Sequence, residues 1–382
     1  MLTFYIFLYI KASFFAYSLA NTMLLLLTYS FMFFFTLLLI SPLHIVSDQA
    51  FAQPATKIAI KNHNIQSFIN AGRGTKMLGI AQFKRYLTRF GYLPRYNNNN
   101  NNNKTFTDEF DAKFEVGLIR YQQRLGLQVT GKLDSNTVSQ MMIPRCGVPD
   151  TTTHNHHHIT KHFMYFPGKP RWSRPIPRTL TYAFSPVNMI HSLTMLEIRE
   201  AFQRAFFNWA SVIPVNFVEA EDYGFAEIKI GFYIGEHGDG EPFDGVLGVL
   251  AHSFSPESGR LHLDAAETWA VDFGVTKSKV AVDLESVATH EIGHILGLSH
   301  SSVKEAVMYP SLRARDKRAN LNIDDIKGVQ SLYGSNPNFR SGWLLQSDFS
   351  ANQAAQFGVQ PFMLATAFII FSITHTLCAS LS

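Results

Sequence analysis

Residues 290–300, HEIGHILGLSH, hold three histidines and a glutamate at the spacing of a catalytic metal site. His290 and His294 are four apart, so on a helix of 3.6 residues per turn they project about 40° apart on one face. Glu291 lies about 60–100° round from them, near enough to reach a water on the ion without being forced to ligate it. Leu284, Ala288, Ile292, Ile295 and Leu296 fall on the opposite side as a buried stripe. Gly297 can take the left-handed conformation that ends a helix, and the turn can return His300 to the same ion. Three protein ligands leave a fourth position open for water, which separates a catalytic zinc from a structural one. HExxH alone also arises on helices with solvated histidines. The added Gly297 and His300 make that reading poor.

Met308 follows eight residues after His300, within Ala306, Val307, Met308, Tyr309 and Pro310. The extended histidine motif with this methionine resembles the metzincin metalloproteases. Ser301 and residues 306–310 are similar to the matrixin (matrix metalloproteinase) branch. That resemblance implies hydrolysis of peptide bonds. The zinc would lower the pKa of a water and polarise the scissile carbonyl. Glu291 would take the water's proton and return it to the leaving amine. Met308 would form a hydrophobic floor without being a ligand.

Residues 144–150 read PRCGVPD. Cys146 is one of only two cysteines, the other being Cys378, so no disulfide framework holds this chain. A thiolate is a strong zinc ligand, and at the open position it would leave no water to activate. The segment matches the cysteine switch of matrixin zymogens. The match implies latency through Cys146, with a supporting salt bridge between Arg145 and Asp150. An activating cleavage within about residues 150–165 is expected, beside the histidine-rich residues 154–158.

The same resemblance implies further ions. His237, Asp239, His252 and His262 match four ligands of a structural zinc, which four protein ligands would close. Asp244, Asp264 and Glu267 match calcium carboxylates, with the carbonyls of Gly245, Leu247 and Val249 completing an oxygen cage. The loop at 256–261 lacks the Gly-Gly-Asp that binds another calcium in animal matrixins, so that ion is not expected. Leu250 and Ala251 match an edge strand that pairs with an extended peptide substrate.

The elements that must position these groups follow from periodicity. Ile80, Phe83, Tyr86, Leu87 and Phe90 have helical spacing, as do Phe110, Phe114, Leu118, Tyr121 and Leu125. Residues 121–137 resemble the peptidoglycan-binding-like module of matrixin propeptides. Strands are expected at 179–185, 215–219 and 226–234. A helix is expected at 193–212, with Leu196, Ile198, Phe202, Ala205, Phe206 and Trp209 as its core side. Acids open a last helix at 322–334. With these elements the resemblance implies the class α+β: a metzincin catalytic domain, a twisted mixed five-stranded sheet with three helices, preceded by a small all-α peptidoglycan-binding-like prodomain.

A length of 382 residues suits two domains with processed ends, and a charge of +4 without long basic runs suggests no nucleic-acid partner. Residues 1–52 read as a signal peptide, with Met23 as an alternative start. Residues 53–158 read as the propeptide, 159–335 as the catalytic domain and 336–382 as linker and anchor signal. Seven consecutive asparagines at 97–103 read as a solvated loop, and Asn103 begins the only N-x-S/T sequon. The apolar stretch 362–379 after small and polar residues fits a GPI-attachment signal with Ser350 as anchor; a transmembrane helix is the alternative. The expected place is the outer face of the plasma membrane, with no hemopexin-like domain. A different class also remains open, an extracellular glycan-binding module carrying an inactive zinc domain.

Overall fold

The computed structural model describes residues 65–94, 106–150, 163–174 and 178–339, all within one compact unit, Ala55–Ser382. The signal segment, the asparagine tract with Asn103, the histidine-rich linker and the tail with Ser350 lie outside the described residues.

The N-terminal part is helical: a 3₁₀ turn at Ile65–Phe68, then α1 (Ile80–Arg89), α2 (Ala112–Arg124) and α3 (Ser135–Met141). Asp111 and Asp134 cap α2 and α3 by accepting from Phe114 N and Thr137 N, satisfying donors that a helix start leaves open. The aromatic residues expected at helical spacing are all buried in one core with Phe68, Tyr92 and Leu133. Phe243, Val249 and Tyr309 join that core from the following domain.

That domain contains β1 (Met164–Tyr165), β2 (Arg178–Phe184), α4 (Met195–Ala210), β3 (Val215–Glu219) and β4 (Ile228–Tyr233). It continues through β5 (Ala251–Ser253), β6 (Arg260–Asp264), β7 (Thr268–Ala270) and β8 (Ala281–Asp283). Last come α5 (Leu284–Ile295), β9 (Leu298–Ser299) and α6 (Ile323–Tyr333). The main sheet has the order β3-β2-β4-β6-β5, parallel except for the antiparallel edge strand β5. The fold class is thus the expected one.

One expectation for α4 is corrected. Ile198, Phe202, Ala205, Phe206 and Trp209 are buried, but Leu196 is 66% exposed. At 100° per residue Leu196 stands about 160° from Ile198, on the far side of the helix. It lies in the first turn, where the Thr194–Glu197 capping box holds the helix end.

Helix α5 is buried on every side, packed against both α4 and strands β5 and β6 of the sheet. Trp209 of α4 donates its indole N–H to Thr289 O at 2.8 Å. Gly293 lets two large groups touch the helix, since a Cβ there would meet Met308 Sδ at 2.3 Å and the Trp209 ring at 2.9 Å. Gly297 ends the helix turn with φ 103°, and a Cβ there would meet Pro170 O at 2.2 Å.

Candidate metal centres and catalytic cleft

Helix α5 brings His290, Glu291 and His294 to one place, and the Gly297 turn carries His300 back to them. Cys146 joins the three histidines, with one ligand atom from each residue within 4.8 Å of the others. His290 Nδ1 donates to Val307 O at 2.6 Å and His294 Nδ1 donates to Leu298 O at 2.8 Å. A carbonyl can only accept, so both rings carry their proton on Nδ1 and turn the Nε2 lone pair inward. His300 Nδ1 is held the same way by Asp150 Oδ1 at 2.6 Å. His294 Nε2 lies 3.2 Å from His300 Nε2 and 3.4 Å from Cys146 Sγ. A tetrahedral zinc with bonds of about 2.1 Å has ligand–ligand edges of about 3.4 Å. His290 Nε2 is buried with no hydrogen-bond partner, as a ligand atom would be.

The electrostatics fit a cation. Burial, and then the neighbouring rings, hold His290 well below the ordinary histidine value; His294 is lowered likewise. Burial pushes the Cys146 thiol up, with the Glu291 carboxylate adding to it. Burial raises Glu291 to about 7. These shifts arise where low dielectric disfavours charge, and a divalent ion held at the cluster would reverse the thiol's.

Met308 sits below α5 against Gly293. Its position depends on α6, because Asp325 accepts from Val307 N at 2.8 Å and Met308 N at 3.0 Å. Asp325 thus holds the loop whose carbonyl orients His290. The acids that open this helix were legible in the sequence, but neither the capping box with Asn322 nor this second duty of Asp325 was.

The segment around Cys146 fills the cleft. Arg145 N donates to Gly248 O at 3.0 Å, and Leu250 N donates to Arg145 O at 2.9 Å. Gly147 N donates to Ala251 O and Cys146 N to Pro310 O. Arg145 bridges to Asp150 at 2.6 Å with both side chains buried, and its guanidinium lies 3.6 Å from the Phe90 ring centre. Burial alone would raise the Asp150 carboxyl. Arg145 and His300 overcome it and hold it well below the usual carboxylate range. Arg124 was not singled out by its sequence, yet it is buried and donates through Nη2 to His300 O. A small recess beside the cleft is lined by Leu250, Val287, Glu291, Leu312 and Arg318, with Cys146 also in its wall.

The second cluster gathers His237, Asp239, His252 and His262. Asp239 Oδ2 lies 2.9, 2.7 and 2.8 Å from His237 Nε2, His252 Nε2 and His262 Nδ1. Burial lowers His252 to about 4 and lowers His262 as well, so these two rings are neutral donors suited to a metal. Near it, Asp244 Oδ1 accepts from Val249 N at 2.7 Å, Asp264 from Gly245 N at 3.0 Å, and Glu267 from Leu247 N at 2.7 Å. Burial raises Asp264 to about 6, and burial followed by Asp264 raises Glu267 to about 8. Glu267 Oε2 is buried without a partner. Among the described residues these three acids do not form a third cluster as tight as the other two.

This fold with this histidine cluster defines a zinc-type metallopeptidase, and the comparisons agree. The profile described as Matrixin matches residues 171–334, and that of a putative peptidoglycan binding domain matches 78–141. Metalloendoproteinase 4-MMP of Arabidopsis thaliana is 58% identical over 279 residues, covering 72% of this chain and 79% of the relative. Metalloendoproteinase 1-MMP of the same plant is 50% identical over 311 residues, covering 80% and 83%. Stromelysin-2 of Rattus norvegicus is 41% identical over 252 residues, covering 64% and 48%. The chain belongs to the matrixin family and is a metalloendopeptidase. Matrixins use zinc, and the histidine–cysteine set suits it.

Proposed function

We propose that the chain is a latent zinc endopeptidase that Cys146 holds inactive until its prosegment is cut away. The supporting observation is the placement of Cys146 Sγ, 3.4 Å from His294 Nε2 and in one cluster with all three histidines. His290, His294 and His300 would hold the zinc, which would supply Lewis acidity to a water and to the scissile carbonyl. Glu291 takes that water's proton through its buried carboxylate and passes it to the leaving nitrogen. Removal of the prosegment uncovers Gly248, Leu250 and Ala251, whose backbone groups then pair with an extended substrate.

His237, Asp239, His252 and His262 hold a structural zinc. Asp244, Asp264, Glu267 and the carbonyls of Gly245, Leu247 and Val249 would hold a calcium beside them, which would offset the crowding of these acids. The domain limits 53–158 and 159–335, the leader, glycosylation at Asn103 and GPI attachment at Ser350 belong to the same reading. It places the enzyme on the outer cell surface, acting on extracellular or cell-wall proteins after an activating protease. The intact Glu291 argues against an inactive glycan-binding module.

The test measures hydrolysis of an internally quenched peptide by the purified proenzyme. Little turnover is expected until the prosegment is cut or the thiol is blocked, and a chelator abolishes it. In Cys146→Ser the uncut proenzyme gains activity about tenfold or more, since a hydroxyl is a far poorer zinc ligand than a thiolate. A variant as silent as the parent would refute the latency.

A further inference from the structure

We propose that Ser253 is a positioning residue that aims the carboxylate of Glu291 for catalysis. The proposal rests on the reading of Glu291 as general base. Ser253 Oγ donates to Glu291 Oε2 at 2.7 Å, and both side chains are buried. The other oxygen, Oε1, is buried without a hydrogen-bond partner. In the latent form the Cys146 thiol also lies against this carboxylate. Once the prosegment leaves, the Ser253 hydroxyl is the hydrogen-bond contact that remains.

The sheet sets where that hydroxyl stands. Ser253 ends β5, paired antiparallel with Leu261 of β6, and the preceding pair is His252 with His262. Adjacent side chains on a strand point to opposite faces. His252 therefore turns to Asp239 at 2.7 Å while Ser253 turns to α5 and Glu291. One short strand thus ties the second histidine cluster to the base of the first. A glutamate has several rotatable bonds, and its wall here includes apolar Leu250 and Val287. Tethering Oε2 leaves Oε1 as the oxygen free to face the water, and the carboxylate does not have to be reoriented in the reaction.

The decisive comparison uses the activated full-length enzyme and one quenched peptide. Ser253→Ala lowers kcat about tenfold with KM within about twofold, because the tether acts on proton transfer and does not touch substrate. Ser253→Thr retains most of kcat, while the near-isosteric Ser253→Val does not. This pair differs by one hydroxyl and decides the question even if the alanine variant fails to fold. Calorimetric titration with a peptide hydroxamate, which presents a proton to the base, shows weaker binding in Ser253→Val than in Ser253→Thr. Added to Glu291→Ala, the Ser253→Val change costs nothing further. Equal kcat in the Thr and Val variants, or a loss confined to KM, overturns the proposal. Activity retained by Glu291→Ala alone would instead refute the base assignment beneath it.

Discussion

At the scale of single residues, the catalytic cleft places each group where one duty is open to it. His290 and His294 spend Nδ1 on carbonyls and keep Nε2 for the ion. Glu291 stands next to His290 in sequence but points to Ser253 and Cys146, away from the ligand role. Its replacement therefore separates binding from chemistry. In the activated enzyme Glu291→Ala is expected to lower kcat by roughly 10²–10⁴, the usual worth of a positioned acid–base group. Zinc content by elemental analysis stays at the parent value, since all three histidines remain. Zinc lost together with activity would mean that Glu291 serves the metal instead.

At the scale of elements, α5 alone does not make the site. The loop at 306–310 orients His290, and α6 orients that loop. Asp325 accepts from Val307 N, Met308 N and Asn322 N. Asp325→Ala leaves three backbone donors without their acceptor, which costs about 2–4 kcal/mol. The cost appears as a lower midpoint in urea unfolding, together with reduced activity as His290 loses its orientation. Burial raises this carboxyl to about 6 from an ordinary value of about 4. The folded state therefore binds the proton more tightly than the unfolded chain. The associated stability is fully present below about pH 4 and is lost as pH rises through about 6. Followed in urea, the fall across that window is shallower in Asp325→Asn by this group's share, while the shares of Asp264, Glu267 and Glu291 remain. Gly297 makes a comparable demand on backbone. Alanine there must adopt φ 103° and meet Pro170 O, so Gly297→Ala should unfold at lower temperature and misplace His300.

At the scale of the whole molecule, the helical domain holds the cleft by more than one thiol. Its core takes in Phe243, Val249 and Tyr309, and its residues 144–147 bond to backbone on both sides of the cleft. Arg124 adds a buried guanidinium on His300 O, and Asp150 holds the ring of the same histidine. Arg124→Met in the proenzyme should therefore expose the cleft more often. Alkylation of Cys146, followed peptide by peptide, is expected to run several-fold faster. Enzyme freed of its prosegment lacks residue 124 and is unchanged. Equal alkylation rates would show that Cys146 and its own loop suffice.

Much of this was legible in the chain because the chemistry is local. HEIGHILGLSH lies within one helix and one turn, so 3.6-residue geometry alone groups its side chains. Residues 144–150 announced a thiol for the open position, and the strand and helix periods announced a mixed sheet with helices. Leu196 shows where periodicity ended, since an apolar residue in a first turn can face solvent as easily as core. Contacts between distant segments had no such signal. Ser253 reaches Glu291 across 38 positions, Arg124 reaches His300 across 176, and Asp150 reaches the same histidine across 150. A serine, an arginine and an aspartate each have ordinary local uses, and only packing selects the special one. The sequence by itself determined which residues could bind zinc and in what order along the chain. The tertiary structure decided which hydrogen bonds orient them, because those partners come from a strand, a helix and an N-terminal helical domain that meet only when the chain is folded.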